Sequence, residues 1–175
     1  VYPRMFAWWM LLKAWGTLRF DDHRGLIPET VQLTDRGLFV LLQRSKTSGP
    51  DKKDKLLPFF VSHGAWLEVP TWLREGLAFL DDKDGLGFER DYLVPLPNRD
   101  LQGSCGMQAQ YSDALGLTRE LLSRLTSKEE PLRPLMLWDA CFHWSEHSDR
   151  AGCTGWLASL GIPADQRGFL GRWAV

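Results

Sequence analysis

The chain has 175 residues, 44% of them apolar, enough for one domain with a real core. Its 21 basic and 22 acidic residues leave a formal charge of −1, so any nucleic-acid binding must come from a local basic patch and not from a global field. Three cysteines without CxxC spacing indicate neither a disulfide framework nor a zinc finger, and make a reducing, intracellular compartment the default expectation.

From about Pro3 to Trp15 the chain is apolar nearly all round, which predicts a buried helix. It is too short to span a bilayer and contains Lys13, so no membrane anchor is expected. The first residue is valine with no charged leader, which reads as a fragment rather than a secreted precursor. Gly16 separates this helix from Leu18-Arg19-Phe20-Asp21-Asp22, placing Arg19 near a helix end before Gly25 and Pro28. Runs at 30–34 and 38–44, joined by Asp35-Arg36-Gly37, predict a hairpin. A polar block from Ser45 to Lys55, with four lysines and Gly49-Pro50, leads to a third strand at 56–61.

A helix follows Pro70 as far as Leu80, and the Asp-, Gly- and Pro-rich stretch from Asp81 to Gly106 predicts a long irregular connection. Residues 112–126 form an amphipathic helix, Asp139 to Leu160 another, and 164–170 a short last one after Gly161-Ile162-Pro163. Most of the nine tryptophans are assigned to the core. The fold class is thus mixed α+β, mainly helical, with a small three-stranded antiparallel sheet.

Within the predicted 139–160 helix, His147 and Arg150 are three apart and share a face. A guanidinium forks two hydrogen bonds onto a phosphate, and an imidazole moves protons near neutral pH. Alone, such a pair is most often a solvated helix face. Arg19, with Asp22 one helical turn away, is a second element; its alternative is a surface ion pair. Lys46, in the turn between two strands, is a third: a flexible ammonium able to enter a groove, or an ordinary solvated turn lysine. An overlapping pattern, His143-Trp144-Ser145-Glu146-His147, matches the inverted zinc-protease motif. It lacks a recognisable downstream acidic ligand, so no metal is expected and His143 reads as a packed or solvated helix residue.

The order Arg, hairpin Lys, His-x-x-Arg, Gly-x-Trp resembles the tyrosine recombinase or phage integrase family over nearly the whole chain. Gly16-Thr17-Leu18-Arg19-Phe20-Asp21-Asp22 resembles the family's first-arginine motif, and 46–58 its lysine-bearing hairpin. His147-Ser148-Asp149-Arg150 through Gly161 resembles its His-x-x-Arg helix, and Leu170-Gly171-Arg172-Trp173 the box that carries His or Trp. The Gly-Arg-Trp form is most similar to eukaryotic crypton and DIRS-type elements.

The resemblance implies a tyrosine recombinase catalytic-domain fold over residues 1–175 and double-stranded DNA as partner. It also implies cleavage and rejoining through a 3′-phosphotyrosyl intermediate, without a cofactor, in a homo-oligomer that is a tetramer on paired sites. It makes Arg19, Lys46, His147, Arg150 and Trp173 catalytic, with Asp22 in support; Lys52, Lys53 and Lys55 near the site would bind DNA phosphates. A eukaryotic element would act in the nucleus. The family's nucleophilic tyrosine follows the Gly-x-Trp box, whereas this sequence ends at Val175 with no tyrosine after Tyr111. The expectation is a catalytic domain truncated before its nucleophile and without the N-terminal DNA-clamping domain. The alternative expectation is a catalytically inactive DNA-binding remnant.

Overall fold

A computed structural model describes residues 1–43, 56–65, 71–81 and 89–170, with backbone only for Glu146, Asp149, Arg150, Phe169 and Leu170. The first helix, α1 (Tyr2–Trp15), buries Tyr2, Met5, Phe6, Trp8, Trp9 and Leu12, as its all-round apolar sequence demands. Lys13 is buried with them. The helix ends at Gly16, where the Phe59 ring occupies the space a side chain would need. Thr17 follows with a left-handed φ of 50°, and Leu18 N–H closes the turn on Lys13 O at 3.0 Å. A β-branched residue is strained in this region, and the bend it makes directs the next segment away from α1.

That segment is α2 (Phe20–Arg24), followed by a single 3-10 turn at Pro28–Thr30 that the sequence pattern does not announce. The predicted antiparallel sheet is present as β1 (Gln32–Leu33), β2 (Gly37–Leu42) and β3 (Leu57–Ser62), in the order β1-β2-β3. Pairing of β2 with β3 runs from Gly37 opposite Ser62 to Leu42 opposite Leu57. Period-2 alternation puts Leu38, Val40, Leu42, Phe59 and Val61 on the core face against α1. Helix α3 (Trp72–Asp81) packs on α1 through Gly76, whose missing side chain leaves room for the Trp8 indole.

Two expectations are corrected. The stretch 81–106 is not simply an irregular connection, because β4 (Pro95–Pro97) and β5 (Ser104–Gln108) form a second antiparallel ladder. Prolines mask a strand in sequence, yet in a two-stranded ladder every strand is an edge and an absent N–H can face outward. Tyr2 donates its hydroxyl to Pro95 O at 2.5 Å and so ties this ladder to α1.

After the ladder comes α4 (Tyr111–Arg124). The predicted helix over 139–160 is then two helices, α5 (Trp138–His143) and α6 (Glu146–Ser159). At the break between them, Arg119 of α4 donates from Nε and Nη2 to Trp144 O at 3.2 and 3.1 Å. A carbonyl that would continue the helical ladder is thereby held from outside it. Helix α7 (Ala164–Leu170) lies where the sequence places it.

Of the tryptophans described, Trp8, Trp9 and Trp72 are in the core, while Trp138 and Trp156 are exposed. The core lies mainly between α1, the sheet, α3 and the start of α4; exposed Leu132, Leu137 and Trp138 mark a thinner C-terminal part. No helix among the described residues is long and apolar enough to cross a membrane.

Candidate functional site

Arg19 is the residue immediately before α2, with extended backbone (φ −77°, ψ 162°). Its own N–H donates to Asp22 Oδ2 at 3.0 Å. Asp22 is 5% exposed, so the acidic residue expected to pair with the guanidinium instead fixes the backbone that carries it. This leaves the half-buried Arg19 guanidinium without a hydrogen-bond or ion-pair partner among the described residues.

His147 stands in the first turn of α6, not in mid-helix, because the chain breaks at Trp144-Ser145. Ser145 N–H bonds Ser148 Oγ at 3.1 Å, and Ser148 N–H bonds Ser145 O at 2.9 Å. With Arg119 gripping Trp144 O, these bonds fix where α6 begins and thus where the imidazole stands.

Arg19 and His147 line one small cleft of about 120 Å³ together with Phe20, Asp21 and Tyr111. Tyr111 is the first residue of α4, a position set by Gln110 N–H donating to Asp113 Oδ2 at 2.9 Å. Its ring meets Phe20 edge-on, with centroids 5.7 Å apart and planes at 87°. The second ladder contributes here: Arg24 of α2 donates from Nε and Nη2 to Gln108 Oε1 of β5 at 3.3 and 3.2 Å. Since β5 leads through Ala109 and Gln110 into α4, this contact holds the start of α4 beside α2.

Sequence reasoning missed Tyr111, Phe20 and Asp21 as cleft residues. Asp113 three residues after Gln110 was the readable sign that α4 begins at Tyr111. Arg150 is in α6, one turn beyond His147, but its side chain lies outside the described residues. Lys46, Lys52, Lys53, Lys55 and Trp173 also lie outside them.

Chemically the residues lining the cleft supply one guanidinium, one imidazole, one phenol and one carboxylate, that of Asp21. Residues in the first turns of two fourteen-residue helices, α4 and α6, line it, and such turns carry partial positive charge. The set can grip a tetrahedral oxyanion and move a proton beside it. The two histidines of the inverted zinc motif are on different helices, His143 the last residue of α5 and His147 the second of α6, so they do not share a helical face. Among the described residues no group of three His, Cys, Asp or Glu could hold a metal ion.

Arg19 is set by an acidic partner at the entrance of a short helix, next to an apolar helix and a three-stranded sheet with a long β2–β3 connection. Fold and cleft together define a mixed α/β domain with a three-stranded antiparallel sheet and a small polar cleft lined from the starts of α2, α4 and α6. The solved structure titled FLP Recombinase-Holliday Junction Complex I matches it with a TM-score of 0.58 and 14% identity, over 100% of this chain and 40% of that chain. At that identity the likeness is one of fold, and this chain spans less than half the length of the FLP chain. No protein-family model and no curated protein matches the sequence.

Proposed function

We propose that this chain is the catalytic domain of a tyrosine-type DNA recombinase, one that cleaves and rejoins DNA through a 3′-phosphotyrosyl intermediate. The observation that carries the reading is the meeting of Arg19 and His147, distant in sequence, in one cleft of a domain folded like FLP recombinase. That neighbour's title names a Holliday junction complex, which supports a DNA partner for this chain.

In this reading Arg19 and Arg150 hold the non-bridging oxygens of the scissile phosphate and stabilise charge that grows in the transition state. A tyrosine from beyond Val175 attacks phosphorus, His147 handles its proton, and Lys46 protonates the departing 5′ oxygen. Trp173 packs against the phosphate. The bond broken is replaced by a phosphotyrosyl ester of similar energy, so religation to another strand requires no cofactor. Lys52, Lys53 and Lys55 bind flanking phosphates. The parent protein works as a homo-oligomer, a tetramer on paired sites, in a mobile element of the crypton or DIRS-type kind, and acts in the nucleus of a eukaryotic host.

The test is denaturing electrophoresis of duplex DNA incubated with the parent polypeptide, in which this sequence is followed by its native continuation. A protein–DNA covalent band is expected, lost in Arg19→Ala and in Arg150→Ala. An unchanged band in either variant would refute the assignment. Salt-sensitive DNA binding with no covalent band in the parent would instead establish the second reading, a DNA-binding remnant.

A further inference from the structure

We propose that Tyr111 is a phosphate ligand of this cleft, its hydroxyl donating to a non-bridging oxygen held beside Arg19 and His147. The inference rests on the phosphate-binding reading of the cleft and adds a residue that the motif order does not supply.

The chain has three tyrosines, and their surroundings differ. Tyr2 is fully buried, spends its hydroxyl on Pro95 O, and has its ionisation suppressed first by burial and then by Asp113 and Cys105. Tyr92 is half-buried and lines a different cavity, with Arg90 and Leu93. Tyr111 alone lines the cleft of Arg19 and His147; it is 46% exposed, and its hydroxyl has no hydrogen-bond partner among the described residues.

Its ring is nonetheless held in place. Phe20 supports one edge, the Gln110–Asp113 bond fixes the start of α4, and the Arg24–Gln108 bonds join that start to α2. A donor held this way loses little freedom when an anion arrives. A neutral O–H is also suited to this cleft. Asp21 faces the same space as Arg19, so a phosphate placed there meets one carboxylate for one guanidinium, and a further donor offsets that opposition.

Size narrows the ligand. The cleft, at about 120 Å³, is well below the ~300 Å³ at which small-molecule pockets begin. It admits one tetrahedral group while the rest of the ligand stays outside, which fits a phosphodiester in a polymer better than a free nucleotide.

The experiment is a chemical-shift titration of the purified chain, with tyrosine and histidine ring carbons labelled, using inorganic phosphate as the probe. The Tyr111 and His147 signals should move together with one dissociation constant, while those of Tyr2 and Tyr92 stay still. Tyr111→Phe keeps the ring on Phe20 and removes only the hydroxyl. Followed at His147, it should weaken phosphate about ten-fold, the scale of one hydrogen bond to a charged group. Arg19→Ala should remove saturable binding. Weakening by Arg19→Ala with no change in Tyr111→Phe would overturn the role of Tyr111 and leave the phosphate reading standing. If phosphate never moves His147, the reading of the cleft fails and the Tyr111 proposal with it. Should Tyr111→Phe unfold, movement of the Tyr111 signal in the unsubstituted protein decides the question.

Discussion

His23 should make the fold sensitive to mild acid. It lies on α2, four residues after Arg19, is fully buried, stacks on Trp9, and has no hydrogen-bond partner on either ring nitrogen among the described residues. Burial first, and the Lys13 ammonium second, hold its pKa well below the ordinary histidine value. The folded protein therefore keeps the ring neutral, while the unfolded chain takes up a proton below about pH 6.5. Stability is complete above that pH and is lost as pH falls beneath it towards the folded-state pKa. One proton contributes a slope of at most about 1.4 kcal/mol per pH unit, so the cumulative loss at pH 5.5 is at most about 1.4 kcal/mol. Urea unfolding at pH 7.5 and 5.5 measures it, with His23→Phe as the comparison. That variant keeps an aromatic ring against Trp9, removes two buried unpaired nitrogens, and should be more stable at both pH values with a smaller acid loss. An equal loss in both proteins would refute the argument.

Other outcomes follow from the same contacts. Arg119→Met removes both bonds to Trp144 O and should destabilise the protein by about 1.5–3 kcal/mol in thermal or urea unfolding, while shifting the His147 ring signals. Asp21→Asn removes the carboxylate of a residue that lines the cleft with Arg19 and should raise affinity for inorganic phosphate a few-fold in the same titration. Replacing Lys52, Lys53 and Lys55 by alanine should weaken duplex DNA binding and flatten its log–log salt dependence by about 0.9 for each phosphate no longer neutralised. An unchanged salt slope would remove those lysines from the interface.

How much of this was legible in the sequence depends on whether local pattern or distant contact decides each feature. The buried α1 followed from its all-round apolar surface, the β1–β2 hairpin from a turn between alternating runs, and α7 from Gly161-Ile162-Pro163 before it. The α5–α6 break was not legible, because helical periodicity continues through 138–160 and the interruption is held by a guanidinium on another helix. The β4–β5 ladder was hidden by Pro95, Pro97 and Gly106, residues that normally signal loops. Arg19 and His147 were found by type and order, but Tyr111 was not. Its place in the cleft depends on the ladder that the sequence concealed.

That dependence explains how the site is built. Arg19, Tyr111 and His147 come from the entrances of three helices, and none of those entrances is fixed by its own helix alone. Asp22 holds the backbone of Arg19, the Gln108 amide on β5 holds α2 against the start of α4, and Arg119 of α4 holds the break before α6. The bonds run in series from α2 through β5 and α4 to α6, so a loosened link moves the groups beyond it relative to Arg19. A chain of net charge −1 gains no general attraction for DNA, and the cleft even contains a carboxylate. In the proposed recombinase, affinity at the reacting phosphate would then come from donor placement rather than from accumulated charge. On that logic the fold's less regular parts, the proline-rich ladder and the interrupted helix, would position the donors that the proposed function assigns to the phosphate.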